Sequence, residues 1–327
     1  MTFQFLETMP NWGPTMDLTI TNHIAASTGS CQRKRIYSTA GRQPFGSVAE
    51  LRSGLEALLV LRFESPDFAG ATGLWTTQDY SNDLLIIISL PSETIPFRIV
   101  ASTGEFDDDI TKENCGLEFD ERTLAIAPLW ENGLVQITER SILVLDTSDP
   151  ETWLRRIFRT ELPLDTRILQ TTVHAASGIL AIASRREGQA YLQVARIENV
   201  PTDASLRLGK TSLHLDHDPT AILLFKIHDK MFLFTALADG SFVIFNVSSE
   251  GDLLQTCSQQ FDSSPSPDGS SKCDSVILLS YRVDGIDSSG EKHLLACGMR
   301  NGSLYAVEIQ PNGEGEYCML ITVGNHY

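Results

Sequence analysis

A repeated pair of short apolar runs, separated each time by a turn signal, constrains the fold of this chain more than any other feature. Phe232–Val247 and Leu294–Ile309 align without gaps at an offset of 62 residues (302 − 240). In each, an apolar run leads to Asp239-Gly240 or Asn301-Gly302 and then to a second, alternating run. Because such dipeptides take the positive φ angles of a tight type I′ turn, both units are predicted to be β-hairpins.

Four weaker hairpins precede these two. Their strands are predicted at Arg35–Thr39 with Ser47–Leu51, Leu84–Leu90 with Ile95–Val100, Leu134–Thr138 with Ser141–Leu145, and Ile179–Ser184 with Ala190–Ile197. The six turn centres fall near residues 45, 92, 139, 186, 239 and 301, so the successive gaps are 47, 47, 47, 53 and 62 residues. A period of about 40–50 residues is typical of a four-stranded propeller blade, which stacks against its neighbours because it cannot bury both faces alone.

The pattern therefore predicts an all-β fold, a β-propeller of about six to seven four-stranded, WD-repeat-like blades. Two β-sandwiches are the competing arrangement, although their turns would follow roughly every 8–12 residues without a longer repeat. We expect residues 1–327 to form a single domain, with the Ser-, Pro- and Gly-rich stretch 262–274 as a surface insert. Residues 317–323 are predicted to be an orphan strand with an exposed edge. The chain is therefore expected to be an incomplete ring or a segment of a larger multi-propeller protein.

The charge of the chain argues against direct nucleic-acid binding. With 25 basic and 42 acidic side chains, the formal net charge is −17, whereas nucleic-acid affinity comes mostly from neutralising phosphates with Lys and Arg. The basic run Arg33-Lys34-Arg35 is interpreted as a solvated strand edge. An acidic surface suits protein partners better.

No stretch approaches the roughly 18 apolar residues of a membrane helix, and residues 1–14 lack the basic start and apolar core of a secretory signal. We therefore expect a nuclear or cytosolic protein. No two cysteines stand at Cys-x-x-Cys spacing, so reduced thiols are predicted instead of a zinc site or a disulfide framework. The six are Cys31, Cys115, Cys257, Cys273, Cys297 and Cys318.

The densest polar cluster is His214, Asp216 and Asp218, which alternate as metal ligands on one face of a strand would. A metal site needs convergence from a second element, and none is identifiable, so we predict a solvated loop that ends at Pro219. A propeller enzyme that uses His214 and Asp216 is retained as an alternative hypothesis.

Other acidic groups indicate no chemistry. Phe106–Asp109 lacks the spaced acids of a calcium loop and is predicted to be a solvated turn. Glu118 with Asp120 is too common a pairing to indicate acid–base catalysis. Because no nucleophile elbow, phosphate loop or dinucleotide fingerprint is present, we predict that the protein is not an enzyme. No catalytic, cofactor-binding or metal-binding residue is assigned, and no cofactor is expected.

Trp75, Trp130 and Trp153 are predicted to lie near strand ends or turns. A tryptophan there either fills the space between blades or acts as a partner-binding hot spot, and the sequence leaves both roles open. Propeller interfaces are composed from the rim loops of several blades. Partner-binding residues therefore stay unassigned.

Five stretches together carry a resemblance to a known family. The stretches are residues 13–17, residues 34–40 followed by 47–59, Gly73-Leu74-Trp75 before the strand 83–90, residues 116–125, and residues 133–146. Their order and spacing resemble the middle propeller of the large triple-propeller adaptor family. That family includes the large subunits of the damaged-DNA-binding complex and of the cleavage and polyadenylation specificity factor, and a propeller subunit of splicing factor 3b. Leu134–Thr138 and Gly73-Leu74-Trp75 are most similar to the damaged-DNA-binding branch.

The resemblance, which covers residues 13–309, implies a nuclear, non-catalytic protein-interaction scaffold. In the damaged-DNA-binding branch it implies an adaptor of a cullin-based ubiquitin ligase linked to DNA-damage repair, with a cullin as partner. The alternative is a scaffold subunit of a pre-mRNA splicing or 3′-end processing complex with nucleic-acid association. Two departures limit this expectation, since the chain lacks the flanking propellers and carries the insert at 262–274. The nucleus is the expected compartment, with the cytoplasm as a second one.

Overall fold

The structure, a computed structural model, describes residues 15–23, 33–42, 45–52, 58–78, 83–100, 103, 105–107, 110–130, 132–148, 154–200, 203–260, 277–287, 290–300, 304–311 and 317–322. These residues form six four-stranded sheets in which the strands follow one another in chain order. In the described part, no helix is long and apolar enough to cross a membrane. The chain divides into two compact units, residues 2–161 and 162–327, and each contains three of the sheets.

The first unit contains blades 1 to 3. Blade 1 is β1 (Thr15–His23), β2 (Arg33–Arg42), β3 (Phe45–Arg52) and β4 (Leu58–Ser65). After a 3-10 helix (Pro66–Phe68), blade 2 is β5 (Gly73–Gln78), β6 (Leu84–Ser89), β7 (Thr94–Ile99) and β8 (Phe106–Asp107). Blade 3 is β9 (Thr123–Pro128), β10 (Gly133–Thr138), β11 (Ser141–Asp146) and β12 (Arg155–Glu161).

The second unit contains blades 4 to 6. Blade 4 is β13 (Thr166–His174), a 3-10 helix (Ala175–Ser177), β14 (Ile179–Arg186), β15 (Gln189–Val200) and β16 (Asp203–Leu215). Blade 5 is β17 (Pro219–Ile227), β18 (Lys230–Leu237), β19 (Ser241–Val247) and β20 (Leu253–Gln260). Blade 6 is β21 (Ile277–Asp287), β22 (Gly290–Met299), β23 (Leu304–Pro311) and β24 (Tyr317–Thr322).

The predicted fold class, an all-β chain of four-stranded propeller blades, is confirmed. All six predicted hairpins are the second and third strands of a blade, and each blade adds one strand before and one after that hairpin. The insert at 262–274 and the turn Asn301-Gly302 lie outside the described residues. The single-domain organisation stays a prediction.

The predicted type I′ turn at Asp239-Gly240 is wrong in its details. Gly240 has a φ of +85°, but Asp239 is not among the residues with positive φ. The connection has three residues, and the Asp239 carboxylate accepts hydrogen bonds from the Ser241 N–H (3.0 Å) and hydroxyl (2.6 Å). A pair of positive φ angles, +51° and +81°, occurs instead at Glu187 and Gly188. These two residues form the whole link between the paired Arg186 and Gln189, as a type I′ turn requires.

The orphan-strand assignment is also corrected. Tyr317–Thr322 is not an orphan strand, because it pairs with β23 from Ala306↔Thr322 to Pro311↔Tyr317 and completes blade 6. The prediction took a strand without a hairpin partner to be unpaired, whereas the fourth strand of a blade pairs with the third. Arg33-Lys34-Arg35 begins β2 and pairs with β1, whereas the described pairing of β2 with β3 starts only at Ile36. The interpretation of this run as a strand edge stays a prediction.

The second and third strands of a blade are its most buried part. In blade 3, every residue of β10 and all but the last of β11 are buried, whereas the outermost strand β12 is mostly exposed. Two faces of a sheet can be buried together only if neighbours cover both. Strands that are buried on both faces therefore appear in the sequence as continuous apolar runs, such as Leu84–Ile88.

Successive residues of a middle strand belong to two different cores. In β6, Ile86 and Ile88 pack in a cluster with Val48 from blade 1, whereas Leu85 and Ile87 pack in a cluster with Leu134 from blade 3. Each such side chain contributes about 1.5–3 kcal/mol when fully buried. Stacking of neighbouring blades is therefore the main stabilising interaction within this unit.

The second unit repeats this division. In β18, Leu233 packs with Leu192 of blade 4, whereas the next residue, Phe234, packs with Leu295 and Val307 of blade 6. The first strands of successive blades also lie side by side within each unit. The Leu224 N–H of β17 donates to Thr172 Oγ1 of β13 (3.2 Å), and the Leu74 N–H of β5 donates to Asp17 Oδ2 of β1 (2.8 Å).

Candidate partner-binding rim

Three connections of the second unit meet at one end of blades 4 and 5. They are the β14–β15 turn (187–188), the β16–β17 link (216–218) and the β18–β19 turn (238–240). The side chains gathered there are called the blade 4–5 rim and comprise Arg185, Arg186, Tyr191, His214, Asp216, His217, Asp218 and Asp239. This rim contains the polar cluster that the sequence singled out, now surrounded by residues from two further turns.

Ion pairs join the connections of the rim. Arg185 of β14 pairs with Asp218, and His217 Nε2 lies 3.6 Å from the Asp239 carboxylate across the two blades. These pairs are solvent-accessible, since the Arg185 and Asp218 side chains keep 46% and 41% of their exposure. Exposed pairs contribute at most about 1 kcal/mol each, so they orient the side chains more than they stabilise the fold.

The Asp239 carboxylate stays ionised to unusually low pH. Partial burial raises the pKa of this carboxyl, but hydrogen bonds from the Ser241 hydroxyl and N–H, together with the nearby His217, outweigh burial and leave the pKa below its usual value. The rim therefore presents a fixed negative charge beside His217.

Aromatic and cationic groups are stacked on the same rim. The Tyr191 and His214 rings, on directly paired residues of β15 and β16, meet edge to face with centroids 5.6 Å apart. The Arg186 guanidinium lies 5.8 Å from the centroid of the Tyr191 ring. Arg186 is exposed and Tyr191 is half-buried, and Tyr and Arg side chains held in place at a surface are typical contact residues of protein interfaces.

The proposed metal ligands do not converge. Asp218 is engaged by Arg185, and His214 Nδ1 lies 4.0 Å from Asp216, whose side chain is 93% exposed. Nowhere in the described ranges do three His, Cys, Asp or Glu side chains assemble so that they could hold a metal ion. The predicted solvated loop before Pro219 is confirmed for Asp216 and His217, which are exposed.

The second pair of carboxylates is separated in the structure. Glu118 accepts a hydrogen bond from Arg159 (2.8 Å), whereas Asp120 is bound by Lys112 (2.5 Å). Each acid therefore has its own cation, and the two do not form a shared acid–base pair. Asp108 and Asp109, from the predicted acidic turn, lie outside the described residues.

Two of the three tryptophans considered in the sequence analysis fill space beside glycines. Trp75 packs against the core cluster between blades 2 and 3, and a Cβ added to Gly73 would lie 2.2 Å from its ring. Trp130 is half-buried, and a Cβ on Gly133 would lie 2.6 Å from its indole. Trp75 therefore takes the interior role that the sequence left open. Trp153 lies outside the described residues.

Sequence reasoning missed Arg185, Arg186 and Tyr191 as members of the rim. They stand 23 to 29 residues before His214 (214 − 191 and 214 − 185), and the pairing of β15 with β16 brings them to it. The signal that could have found them is a double arginine followed by Glu-Gly and an aromatic residue, because this pattern places charge and a ring beside one tight turn.

Comparison with known proteins identifies a family and similar proteins. Residues 63–323 match the family described as RSE1/DDB1/CPSF1 second beta-propeller. A curated relative, Pre-mRNA-splicing factor RSE1 of Pyricularia oryzae, is 25% identical over 209 residues, which cover 63% of this chain and 16% of the relative. A crystal structure of a protein from Lactobacillus plantarum superposes with a TM-score of 0.58 at 12% identity, covering 88% of this chain and 80% of that one. At that identity, the last similarity bears on the fold alone.

Proposed function

Because the chain belongs to the RSE1/DDB1/CPSF1 second β-propeller family, we propose that it serves as a non-catalytic protein-interaction scaffold in a nuclear multi-subunit complex. The observation that carries the proposal is the family match itself, which spans 261 of the 327 residues (323 − 63 + 1). The acidic net charge of −17 supports protein partners over nucleic acid.

The blade 4–5 rim is the proposed contact surface. Its Arg, Tyr and His side chains combine apolar area with hydrogen-bond donors, and their mutual contacts reduce the entropy lost when a partner binds. The rim also draws on turns of two blades, as propeller interfaces do.

Two assemblies are candidates for the complex. The similarity to a pre-mRNA-splicing factor favours a splicing or 3′-end processing assembly. The resemblance of Gly73-Leu74-Trp75 and Leu134–Thr138 to the damaged-DNA-binding branch favours a cullin-based ubiquitin ligase adaptor. The similarity to the splicing factor extends over 209 residues, whereas the resemblance to the damaged-DNA-binding branch depends on two short stretches. We therefore place the splicing assembly first.

Affinity purification of the tagged chain from a nuclear extract of its own organism, followed by mass spectrometry, tests the proposal. Recovery of splicing or 3′-end processing subunits supports the first assembly, and recovery of a cullin supports the second. Arg185→Glu combined with Tyr191→Ala should remove the partners, whereas Lys226→Glu, an exposed charge reversal on blade 5, should retain them. Recovery of neither set of proteins by the unaltered chain would contradict the scaffold role.

A further inference from the structure

A cleft of about 150 Å³ opens between blades 4 and 5, at the opposite end of the sheets from the blade 4–5 rim. It lies beside the β19–β20 turn and the start of β14. Buried Ile179 and Val194 form part of its wall, and Leu208 of β16 stands at its edge with 51% of its surface exposed. A cavity of about this volume holds one small apolar group such as benzene, so one aliphatic side chain fits the space.

Two glycines and a bulge shape the cleft. A Cβ on Gly209 would lie 2.8 Å from the Val194 carbonyl oxygen and 3.0 Å from that of Gly251. Gly251 has a φ of +87°, which glycine adopts at no steric cost. The pairing of β15 with β16 is also irregular between Gln193 and Ala195. These features bring the outermost strand of blade 4 against blade 5 and leave Leu208 beside the opening.

A pair of arginines faces the same cleft. Arg196 of β15 and Arg207 of β16 are direct cross-strand partners, so their side chains leave the sheet on one face. Like charges in directly opposite positions destabilise a sheet. Arg207 has only a loose ion pair with Glu198, at 3.7 Å, and among the described residues the Arg196 guanidinium forms no ion pair. Sheet stability therefore does not explain the pair, which presents two guanidinium groups at the cleft.

The remaining charges at the opening set the size of an anion that can bind there. Lys210 is bound to Glu250 at 2.8 Å, and Glu198 partly offsets Arg207. The Asp252 carboxylate of the same turn accepts from the Thr211 hydroxyl (2.5 Å), so three cations face three carboxylates. Arg196, which has no ion pair among the described residues, is the cation left for a ligand. One added carboxylate matches this balance, whereas a polyphosphate chain would meet repulsion from Glu198 and Glu250.

We propose that the cleft binds an extended peptide segment of a partner protein in which an aliphatic residue stands next to an acidic one. The aliphatic side chain packs on Ile179 and Val194, which share the face of Arg196 toward blade 5. The neighbouring carboxylate accepts hydrogen bonds from Arg196 and Arg207. The inference does not depend on which complex the chain joins.

Surface plasmon resonance on the immobilised full chain tests the proposal. The probe is a ten-residue peptide of Gly and Ser with one central Leu-Glu pair, compared with Leu→Ala and Glu→Gln versions and with a ten-nucleotide uridine RNA. We expect saturable binding of the Leu-Glu peptide and a loss of about tenfold in affinity for each altered peptide, because each loses one buried contact or one charged hydrogen bond.

Variants of the chain assign the contacts. Arg196→Gln and Arg207→Gln should each weaken the Leu-Glu peptide by about tenfold and leave the weaker Glu→Gln peptide unchanged, and Lys226→Gln should change neither. Circular dichroism melting checks that the variants remain folded. Equal affinity for the three peptides, insensitivity to both arginine variants, or preferential binding of the RNA would overturn the proposal.

Discussion

The hydroxyl oxygens of Thr94 and Thr123 lie 2.7 Å apart in a buried hydrogen bond that joins blade 2 to blade 3. Its direction follows from the neighbouring bonds. Thr94 donates its hydroxyl proton to the Glu121 carbonyl (2.8 Å), so it must accept from Thr123. Thr123 in turn accepts from Gln136 Nε2 (2.8 Å). The blade interface therefore contains a chain of hydrogen bonds with a single direction of donation, from Gln136 through Thr123 and Thr94 to the Glu121 carbonyl.

Thr123→Val should destabilise the protein by about 1–3 kcal/mol, because a side chain of nearly the same shape leaves Thr94 without a donor and one of the two Gln136 Nε2 hydrogens without an acceptor. The other Nε2 hydrogen still bonds to the Glu118 carbonyl (2.9 Å). Urea unfolding followed by fluorescence measures the change. Thr160→Val on the mostly exposed strand β12 is the matched control and should stay within about 0.5 kcal/mol. Equal effects of the two variants would show that the chain of hydrogen bonds carries no net stability.

Asp83→Ala should cost about 3–5 kcal/mol, since it removes a carboxylate partner of a largely buried arginine. The Asp83 and Arg98 side chains retain only 7% and 20% of their exposure. Adding Arg98→Met to Asp83→Ala should restore part of the free energy of unfolding, because no buried charge then remains at the pair. A double variant less stable than Asp83→Ala would contradict this explanation. Asp120→Ala, at the exposed ion pair with Lys112, should leave the unfolding midpoint unchanged.

Gly116→Ala should be more harmful than Gly188→Ala, although both replace a glycine in a connection between strands. A Cβ on Gly116 would lie 2.2 Å from the Leu154 carbonyl oxygen and 2.8 Å from the Arg156 nitrogen, both backbone atoms, whereas a Cβ on Gly188 meets nothing within 4 Å. We expect a loss of about 1–3 kcal/mol or more at Gly116 from overpacking. At Gly188, only the positive φ should cost stability, by about 1–2 kcal/mol. Thermal melting of the two variants compares them directly.

Alkylation should distinguish the cysteines. Burial raises the pKa of the Cys297 thiol to about 12 and that of Cys115 to about 11, the latter partly offset by a backbone hydrogen bond from Leu117 and by Arg156. Because the thiolate is the reactive form, both should react at least about 100-fold more slowly than an ordinary thiol at pH 8. Half-buried Cys257 should react first of these three. Peptide mass mapping after iodoacetamide treatment follows each site, and rapid labelling of Cys297 in the folded protein would contradict its burial.

The sequence was most informative where burial is most complete. The second and third strands of each blade are covered on both faces, so they appear as continuous apolar runs bounded by turn residues and could be located to within a few positions. The outer strands could not. β12 (Arg155–Glu161) is mostly exposed and polar, and β16 (Asp203–Leu215) alternates without a strong apolar face. The composition of these outer strands reflects their exposure to solvent, so it does not indicate that they pair with the third strand of the blade.

The candidate sites depended on pairing register, which sequence periodicity does not provide. His214 and its acidic neighbours were noticeable in the sequence, but their contacts with Tyr191 and Arg185 follow from the register of β15 and β16. That register shifts between Gln193 and Ala195, so an alignment of the two strands by pattern alone would pair the wrong residues. The Arg196↔Arg207 pair became visible only with the bulge in place.

Because each middle strand contributes side chains to two cores, truncating the chain between two blades also affects the blade that remains. A truncation that keeps the chain through β20 and removes blade 6 would also expose four side chains of blade 5 that share a core with blade 6. They are Phe232, Phe234, Phe242 and Ile244. The truncated product would then differ from the parent both in length and in the solubility of what remains. A fragment of this unit that ends at a linker between blades should therefore also carry polar substitutions on the face that the cut exposes.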